Sequence, residues 1–257
     1  MGHVWDIYDE PQVTIVDVST AAGCGQPSCA PPHGEGASAE QESLIAHVAF
    51  SELTVDAQPV GVGSYKTVYK AKWSRRNAMV AVLELRNTRN TTMTAIQQEM
   101  RIFSKLGKHR HLAQLLATTT RADSGNQCLL MEFAPQGSLD HVLNKAAEED
   151  VDVSMSVRIA IGVQVADALV HLDLYKVIHR DLAARNVLVS SYTPAAADQP
   201  GAIAVQLTDY GLARDVRMLR GGVYVTPEGS DVAMPKLWIP PESLQSRQFT
   251  RASDVRL

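Results

Sequence analysis

Between Phe50 and Leu85 the chain runs through three short strand-like stretches, SELTV, SYKTVYKAKW and MVAVLEL, separated by turn residues. This succession constrains the fold more than any other feature, because neighbouring short strands joined by tight turns predict an antiparallel meander. Thr94 followed by Gln97 has the form of a capping box, Ile96, Met100 and Phe103 recur at helical spacing, and Gly107 offers a C-terminal stop. One helix is therefore predicted after three strands. Two further strand-like runs, around Leu115 and around Leu129–Met131, precede Ser138, which can cap a short helix through Leu143. Ile161, Val165, Leu169 and Leu172 then mark a longer helix with one apolar face. No internal repeat is present. Strands with one helix, followed mainly by helices, predict an α+β fold.

A chain of 257 residues with 45% apolar and 20% charged residues can bury one sizeable core. Its formal charge of -4 supplies no general basic field for nucleic acid or an anionic membrane, so phosphate binding has to come from a local site. Residues Thr20 to Glu42 are rich in Gly, Ala, Pro and Ser, which bury too little apolar area to offset ordering, so 1–49 reads as a largely flexible N-terminal extension. Cys24, Cys29 and Cys128 are an odd, scattered set that predicts a reducing compartment. Cys24 and Cys29 lack the second ligand pair that structural zinc requires. The start MGHVWDIYDE has no basic or apolar leader, and no stretch reads as a run of roughly 20 apolar residues that would span a membrane. A soluble cytoplasmic protein is the expectation.

The segment His179-Arg180-Asp181-Leu182-Ala183-Ala184-Arg185-Asn186 carries chemistry. It fits the pattern H-R-D-L-x-x-x-N at every fixed position, and the chain is on this account similar to the protein kinases. The resemblance implies a two-lobed fold, a smaller lobe of antiparallel sheet plus one helix (50–131), a hinge (132–137) and a mainly helical lobe (138–257). It implies Asp181 as the base that takes the acceptor hydroxyl's proton, with Arg180 and Arg185 beside it, and Asn186 as a magnesium ligand. Asp209-Tyr210-Gly211 resembles D-F-G, which makes Asp209 the second ligand, and Pro240-Pro241-Glu242 resembles the A-P-E that closes the activation segment. Tyr224, Thr226 and Ser230 between them are candidate phosphorylation sites. Gly61-Val62-Gly63-Ser64-Tyr65-Lys66-Thr67-Val68 resembles the glycine-rich loop, with lysine at the third glycine. Leu130-Met131-Glu132-Phe133-Ala134 resembles the hinge, so Met131 is the expected gatekeeper, Glu132 and Ala134 offer backbone groups to adenine, and Val68 and Ala81 flank the ring. Glu99 stands where the helix glutamate of the family is expected.

Three departures bear on function. The run SSYTPAAADQPGA reads as an extended turn between two strands. The residues Ser253 to Leu257 fall where the family's next central helix would begin, so the helical lobe is expected to be incomplete and the helix through Val157–Leu172 to lack cover. The pattern V-A-I-K, whose lysine holds the nucleotide phosphates, is here Val80-Ala81-Val82-Leu83. Leucine cannot do this, but Gly63 to Lys70 resembles the glycine-loop strand of the with-no-lysine kinases, which supply the lysine from this strand. Alternate strand residues share a face, so Lys66 lies on the side of Val68 and can replace the missing cation. The resemblance thus implies an ATP- and Mg2+-dependent kinase acting on a protein substrate, with Ala183-Ala184-Arg185 favouring tyrosine or dual specificity. The alternative is a pseudokinase that binds nucleotide or serves as a scaffold.

Overall fold

The computed structural model describes residues 45–63, 66–85, 93–196, 201–227 and 238–255, without the side chains of 93–96. The linker, Cys24, Cys29, Ser64, Tyr65 and Ser230 lie outside the described residues. Five strands, β1 (Leu53–Val62), β2 (Lys66–Trp73), β3 (Ala78–Leu85), β4 (Leu115–Thr120) and β5 (Gln127–Glu132), form one antiparallel sheet in the order β1-β2-β3-β5-β4. Helix α1 (Met93–Leu106) is inserted between β3 and β4.

The period-2 alternation of strand side chains decides what each face of this sheet meets. Val80 and Val82 pack with Leu53, Ala71, Trp73 and Leu130 on one face. Leu83 and Leu85 pack with Ile102, Phe103 and Leu106 of α1 on the other. The outer face is also covered from outside the meander: the Val48 N–H donates to the Thr118 carbonyl (2.9 Å), and Val48 itself is buried. At the far end of α1, Gly107 takes φ +62°, a conformation that glycine adopts without strain, and its N–H closes on the Phe103 carbonyl at 3.1 Å. The expected cap Thr94 falls inside the first turn instead, since α1 already begins at Met93.

Beyond the sheet come α2 (Leu139–Glu148), α3 (Met155–Leu174), the strands β6 (Val177–Ile178), β7 (Val187–Thr193), β8 (Ala202–Leu207), β9 (Arg214–Asp215) and β10 (Tyr224–Val225), α4 (Pro241–Ser246) and β11 (Gln248–Phe249). β6 pairs with β9, β7 with β8 and β10 with β11, all antiparallel. The SSYTPAAADQPGA run is only partly a turn: its first four residues belong to β7 and its last to β8, so the connection of this hairpin is shorter than expected, with 197–200 not described. Ser138 occupies the N-cap of α2, which runs to Glu148, past the expected end at Leu143, and its hydroxyl makes no capping bond.

Helix α3 departs further from expectation. Val157, Ala168 and Leu172 are buried, and Gln164 is tied to β8, donating to the Ile203 carbonyl (2.8 Å) and accepting from the Val205 N–H (2.9 Å). Yet Met155, Ile159, Val163, Val170 and Leu174 form a second apolar stripe facing outward. With apolar residues on both sides, this helix of 20 residues reaches a mean hydropathy of 1.4 and is, by length and composition, long and apolar enough to cross a membrane. The expectation that no stretch meets that test is corrected: Arg158, Gln164 and Asp167 interrupt the run in sequence without lowering its average below that of a span. One continuous core links the parts, running from Leu83, Phe103 and Met131 through Val157 and Leu172 to Val187, Val205 and Tyr210.

Candidate active site

The site is assembled where β2, α1 and the segment after β8 converge. Lys66 is the first residue of β2 and sits opposite Leu85 of β3, while Val68 sits opposite Leu83. Its ammonium lies 3.0 Å from Glu99 Oε1 and 2.8 Å from Asp209 Oδ1. Leu83 is buried with Ile102 and Phe103. Leu83 thus belongs to the apolar core, while the neighbouring strand carries the ammonium that meets Glu99 and Asp209. Burial alone would lower the Lys66 pKa, but the two carboxylates outweigh it and hold the ammonium well above its usual range. Asp209, for which burial acts in the opposite direction, is held below the usual carboxylate range by Lys66. Both groups are charged at neutral pH.

Asp209 takes φ +68° and its Oδ1 accepts from the Gly211 N–H at 3.4 Å. Tyr210 turns the other way, fully buried, edge-on to Phe103 of α1 (centroids 4.8 Å) and to His179 (5.5 Å). Glycine is favoured at such φ, so an aspartate there stores backbone strain that the packing of Tyr210 holds in place.

Four residues around the loop after β6 form the second cluster. Asn186 Nδ2 donates to the Asp181 carbonyl and to Asp181 Oδ2, both at 2.8 Å, and Arg185 donates to Asp181 Oδ1. The His179 ring accepts from the Asp181 N–H (3.3 Å) and hydrogen-bonds the Thr208 carbonyl (3.0 Å), which fixes its tautomer with the proton on Nε2. Burial raises the Asp181 pKa, and the Asn186 bond and the Arg185 cation oppose the rise. Arg180 behaves differently from its neighbours. Its guanidinium donates to the Leu212 carbonyl (3.0 Å) and to Thr226 Oγ1 (3.1 Å), and lies over the rings of Tyr224 (4.4 Å) and Phe249 (4.5 Å). Burial, then the nearby Arg214 cation, pushes its pKa down to about 10. Arg180 is thus engaged with the activation segment, not with Asp181.

Met131 is buried and opposite Ala81, and Glu132 donates its N–H to the Gln114 carbonyl (3.3 Å). Phe133 carries the Lys70 ammonium over its ring at 5.3 Å, and the Ala134 carbonyl accepts from Gly137 (3.1 Å). Gly61 pairs with Val68, and Gly63 donates to the Lys66 carbonyl at 2.8 Å, where an added Cβ would stand 3.4 Å from that oxygen.

One residue that sequence reasoning missed holds this site up. Asp254 is buried, and its two oxygens accept the N–H groups of His179 (2.6 Å) and Arg180 (2.8 Å). The available signal was Thr250 three residues before Ser253, which the structure shows as a reciprocal cap that seats the turn bearing Asp254.

A family model described as protein tyrosine and serine/threonine kinase matches residues 55–256. The chain belongs to the protein kinase family. This kinase domain is 30% identical over 217 residues to mitogen-activated protein kinase kinase kinase 11 of Homo sapiens, covering 80% of the chain and 23% of the relative. It is 32% identical over 196 residues to tyrosine-protein kinase Abl of Drosophila melanogaster, covering 76% of the chain and 11% of the relative. A probable serine/threonine-protein kinase of Dictyostelium discoideum is 26% identical over 211 residues, 81% of the chain and 20% of the relative. The chain therefore spans less than a quarter of the length of these relatives. The five-stranded antiparallel sheet is the N-lobe sheet of this kinase domain.

Proposed function

We propose that this kinase domain transfers the γ-phosphate of ATP to a protein hydroxyl, with Mg2+, and that Lys66 supplies the cation other kinases draw from the position of Leu83. The observation that carries the reading is the Lys66 ammonium held between Glu99 and Asp209 at 3.0 and 2.8 Å. A surface lysine would have no reason to stand between two carboxylates inside the cleft.

The donor set fits magnesium. Asn186 uses its amide N–H groups on Asp181, which leaves its Oδ1, and Asp209 is ionised with Oδ1 on Lys66, which leaves Oδ2. Two hard oxygens with the remainder from phosphates and water are what this ion takes. Bound there by Asn186 and Asp209, magnesium would supply positive charge that neutralises what develops on the phosphates. The chain's own residues do the rest. Asp181 accepts the acceptor hydroxyl's proton at a carboxylate oxygen, since each oxygen keeps a lone pair beyond those taken by Asn186 and Arg185. Its raised pKa brings it closer to the range in which a general base works. Adenine would take the Glu132 carbonyl and the Ala134 amide, because Glu132 N–H and the Ala134 carbonyl already have partners. Val68, Ala81 and Met131 enclose the ring, and Gly61 and Gly63 let the loop approach the phosphates.

Tyrosine or dual specificity is favoured by Ala183-Ala184-Arg185, and relatives named for tyrosine and for serine/threonine phosphorylation both occur. A reducing, cytoplasmic setting belongs to the same proposal and suits Cys128, a buried free thiol pushed up to about 11 by burial. Leu83 supports a second reading, a domain that binds nucleotide or partners without transfer, in which Lys66 only neutralises Asp209.

Lys66→Met separates the two. It removes a charge-assisted contact in a cleft with little water, so turnover should fall by roughly 10² or more, each ~1.4 kcal/mol being tenfold. Leu83→Lys with Lys66→Gly should restore it by returning both positions to the common arrangement. Wild-type transfer that survives Lys66→Met would sink the relocated lysine, and transfer confined to the double variant would establish a pseudokinase repairable at Leu83.

A further inference from the structure

Glu99 can meet Lys66 only while α1 keeps one rotational setting. Its apolar contacts, through Ile102, Phe103 and Leu106, are non-directional and would tolerate rotation of the helix about its own axis. Two polar ties act at the C-terminal end. On one side the Leu106 carbonyl is hydrogen-bonded to the His171 ring of α3 at 2.8 Å. On the other, the Lys105 ammonium lies 2.6 Å from Asp215 Oδ2, with both side chains largely withdrawn from solvent.

Asp215 is placed to be an anchor. It lies in β9, opposite Val177 of β6, the strand that runs directly into His179-Arg180-Asp181. It is held rigidly itself: Oδ1 accepts the Arg217 N–H at 3.0 Å, and the Arg217 guanidinium lies 2.9 Å from Oδ2. Burial would raise its pKa, but the bonds from Lys105 and Arg217 keep it below the usual carboxylate range. One ion pair therefore joins the helix that carries Glu99 to the ladder that leads into the Asp181 loop, at a residue six positions beyond Asp209.

We propose that Lys105 is a positioning residue, which with the His171 tie fixes the rotation of α1 and so holds Glu99 on Lys66. A carboxylate stands about 5.5 Å from a helix axis, so a turn of about 20° would move it by about 2 Å, enough to break a hydrogen bond. The activity arm of the test rests on the catalytic reading above; the cross-linking arm rests on geometry alone.

Lys105→Met keeps the aliphatic stem and removes the charge. In the full chain, a zero-length carbodiimide cross-link between Lys66 and Glu99, read by mass spectrometry, should fall at least about 3-fold. Phosphate transfer should lose about tenfold in kcat, equivalent to ~1.4 kcal/mol, with the KM for ATP changed less than about 3-fold, a pattern that general loosening would not produce. Lys105→Arg should keep both near wild type. Arg217→Ala removes the guanidinium from Asp215 Oδ2 but keeps the backbone N–H on Oδ1 and the Lys105 partner, so it should leave the cross-link intact. Should Lys105→Met fail to fold, Lys105→Gln carries the same comparison. An unchanged cross-link in the uncharged variant overturns the proposal, as does an equal loss in Arg217→Ala. A wild-type chain that shows the cross-link and its loss but no transfer would refute the catalytic reading and leave the positioning role standing.

Discussion

At the scale of single residues, the site depends on groups that never meet a substrate. Asp254 satisfies two buried N–H groups at once, those of His179 and Arg180, in the turn where Arg180 adopts φ +69°. Asp254→Ala would leave both unpaired at about 1–3 kcal/mol each and release the strained turn. A fall in melting temperature together with loss of transfer is the expected outcome, and Asp254→Asn, which keeps one acceptor, should lie between. Calorimetry alongside an activity assay checks this; an alanine variant that melts like wild type would show that the loop holds itself. Arg180 argues the same way from the other side. Sequence placed it with the catalytic residues, whereas its charge is used on Leu212 and Thr226 and its flat faces on Tyr224 and Phe249.

At the scale of elements, the turn between α1 and β4 joins the two parts of the domain. Leu207 of β8 donates to the His111 carbonyl (2.8 Å), and Ala113 donates to the Leu207 carbonyl (2.9 Å). From α3, Asp167 faces His109 (3.3 Å), Arg110 (3.5 Å) and His111 (3.8 Å), while the His171 ring stacks on His109 at 4.4 Å. His109 also accepts the His111 N–H on Nδ1 (3.3 Å), so protonation there would turn an acceptor into a donor facing a donor. Burial first, then the His171 ring, lowers the His109 pKa below 6.5, and the Asp167 carboxylate opposes this only in part. The folded state then binds fewer protons than the unfolded state once pH drops below 6.5. Stability is full above that value and is lost as pH falls. Chemical denaturation between pH 7.5 and about 5.5, a window set by the ordinary histidine range, should show this loss in wild type and a flatter profile in His109→Gln. Parallel profiles would place the acid sensitivity elsewhere.

For the molecule as a whole, α3 is the element whose surroundings matter most. Met155, Ile159, Val163, Val170 and Leu174 are each between 59 and 70% exposed, at spacings that line them up along one side of the helix. A contiguous apolar strip of this kind is a recognised liability for self-association. The 257-residue chain should therefore bind a dye such as anilinonaphthalene sulfonate and associate with rising concentration. Ile159→Glu with Val163→Glu should reduce dye binding at least about twofold while leaving the melting temperature nearly unchanged, because exposed positions contribute little to folding, typically within about 0.5 kcal/mol. A monodisperse wild-type chain that ignores the dye would show that the strip is covered in solution.

What the sequence determined by itself was whatever depends on short spacing. The strands, the stop at Gly107 and the segment from His179 to Asn186 are all written within a few residues, and the alternation of a strand was enough to put Lys66 on the face of Val68, whereas Glu99 as its partner came from the resemblance to the kinases. The tertiary structure decided what depends on residues far apart. Lys66 meets Asp209 across 143 positions and Asp254 meets His179 across 75, and the Lys105–Asp215 pair likewise joins elements well separated in the chain. The two apolar sides of α3 show the same limit in reverse. Periodicity marked one apolar face, and only packing against β8 showed that a second apolar side is left exposed, since burial is a relation between elements and not a property of either one.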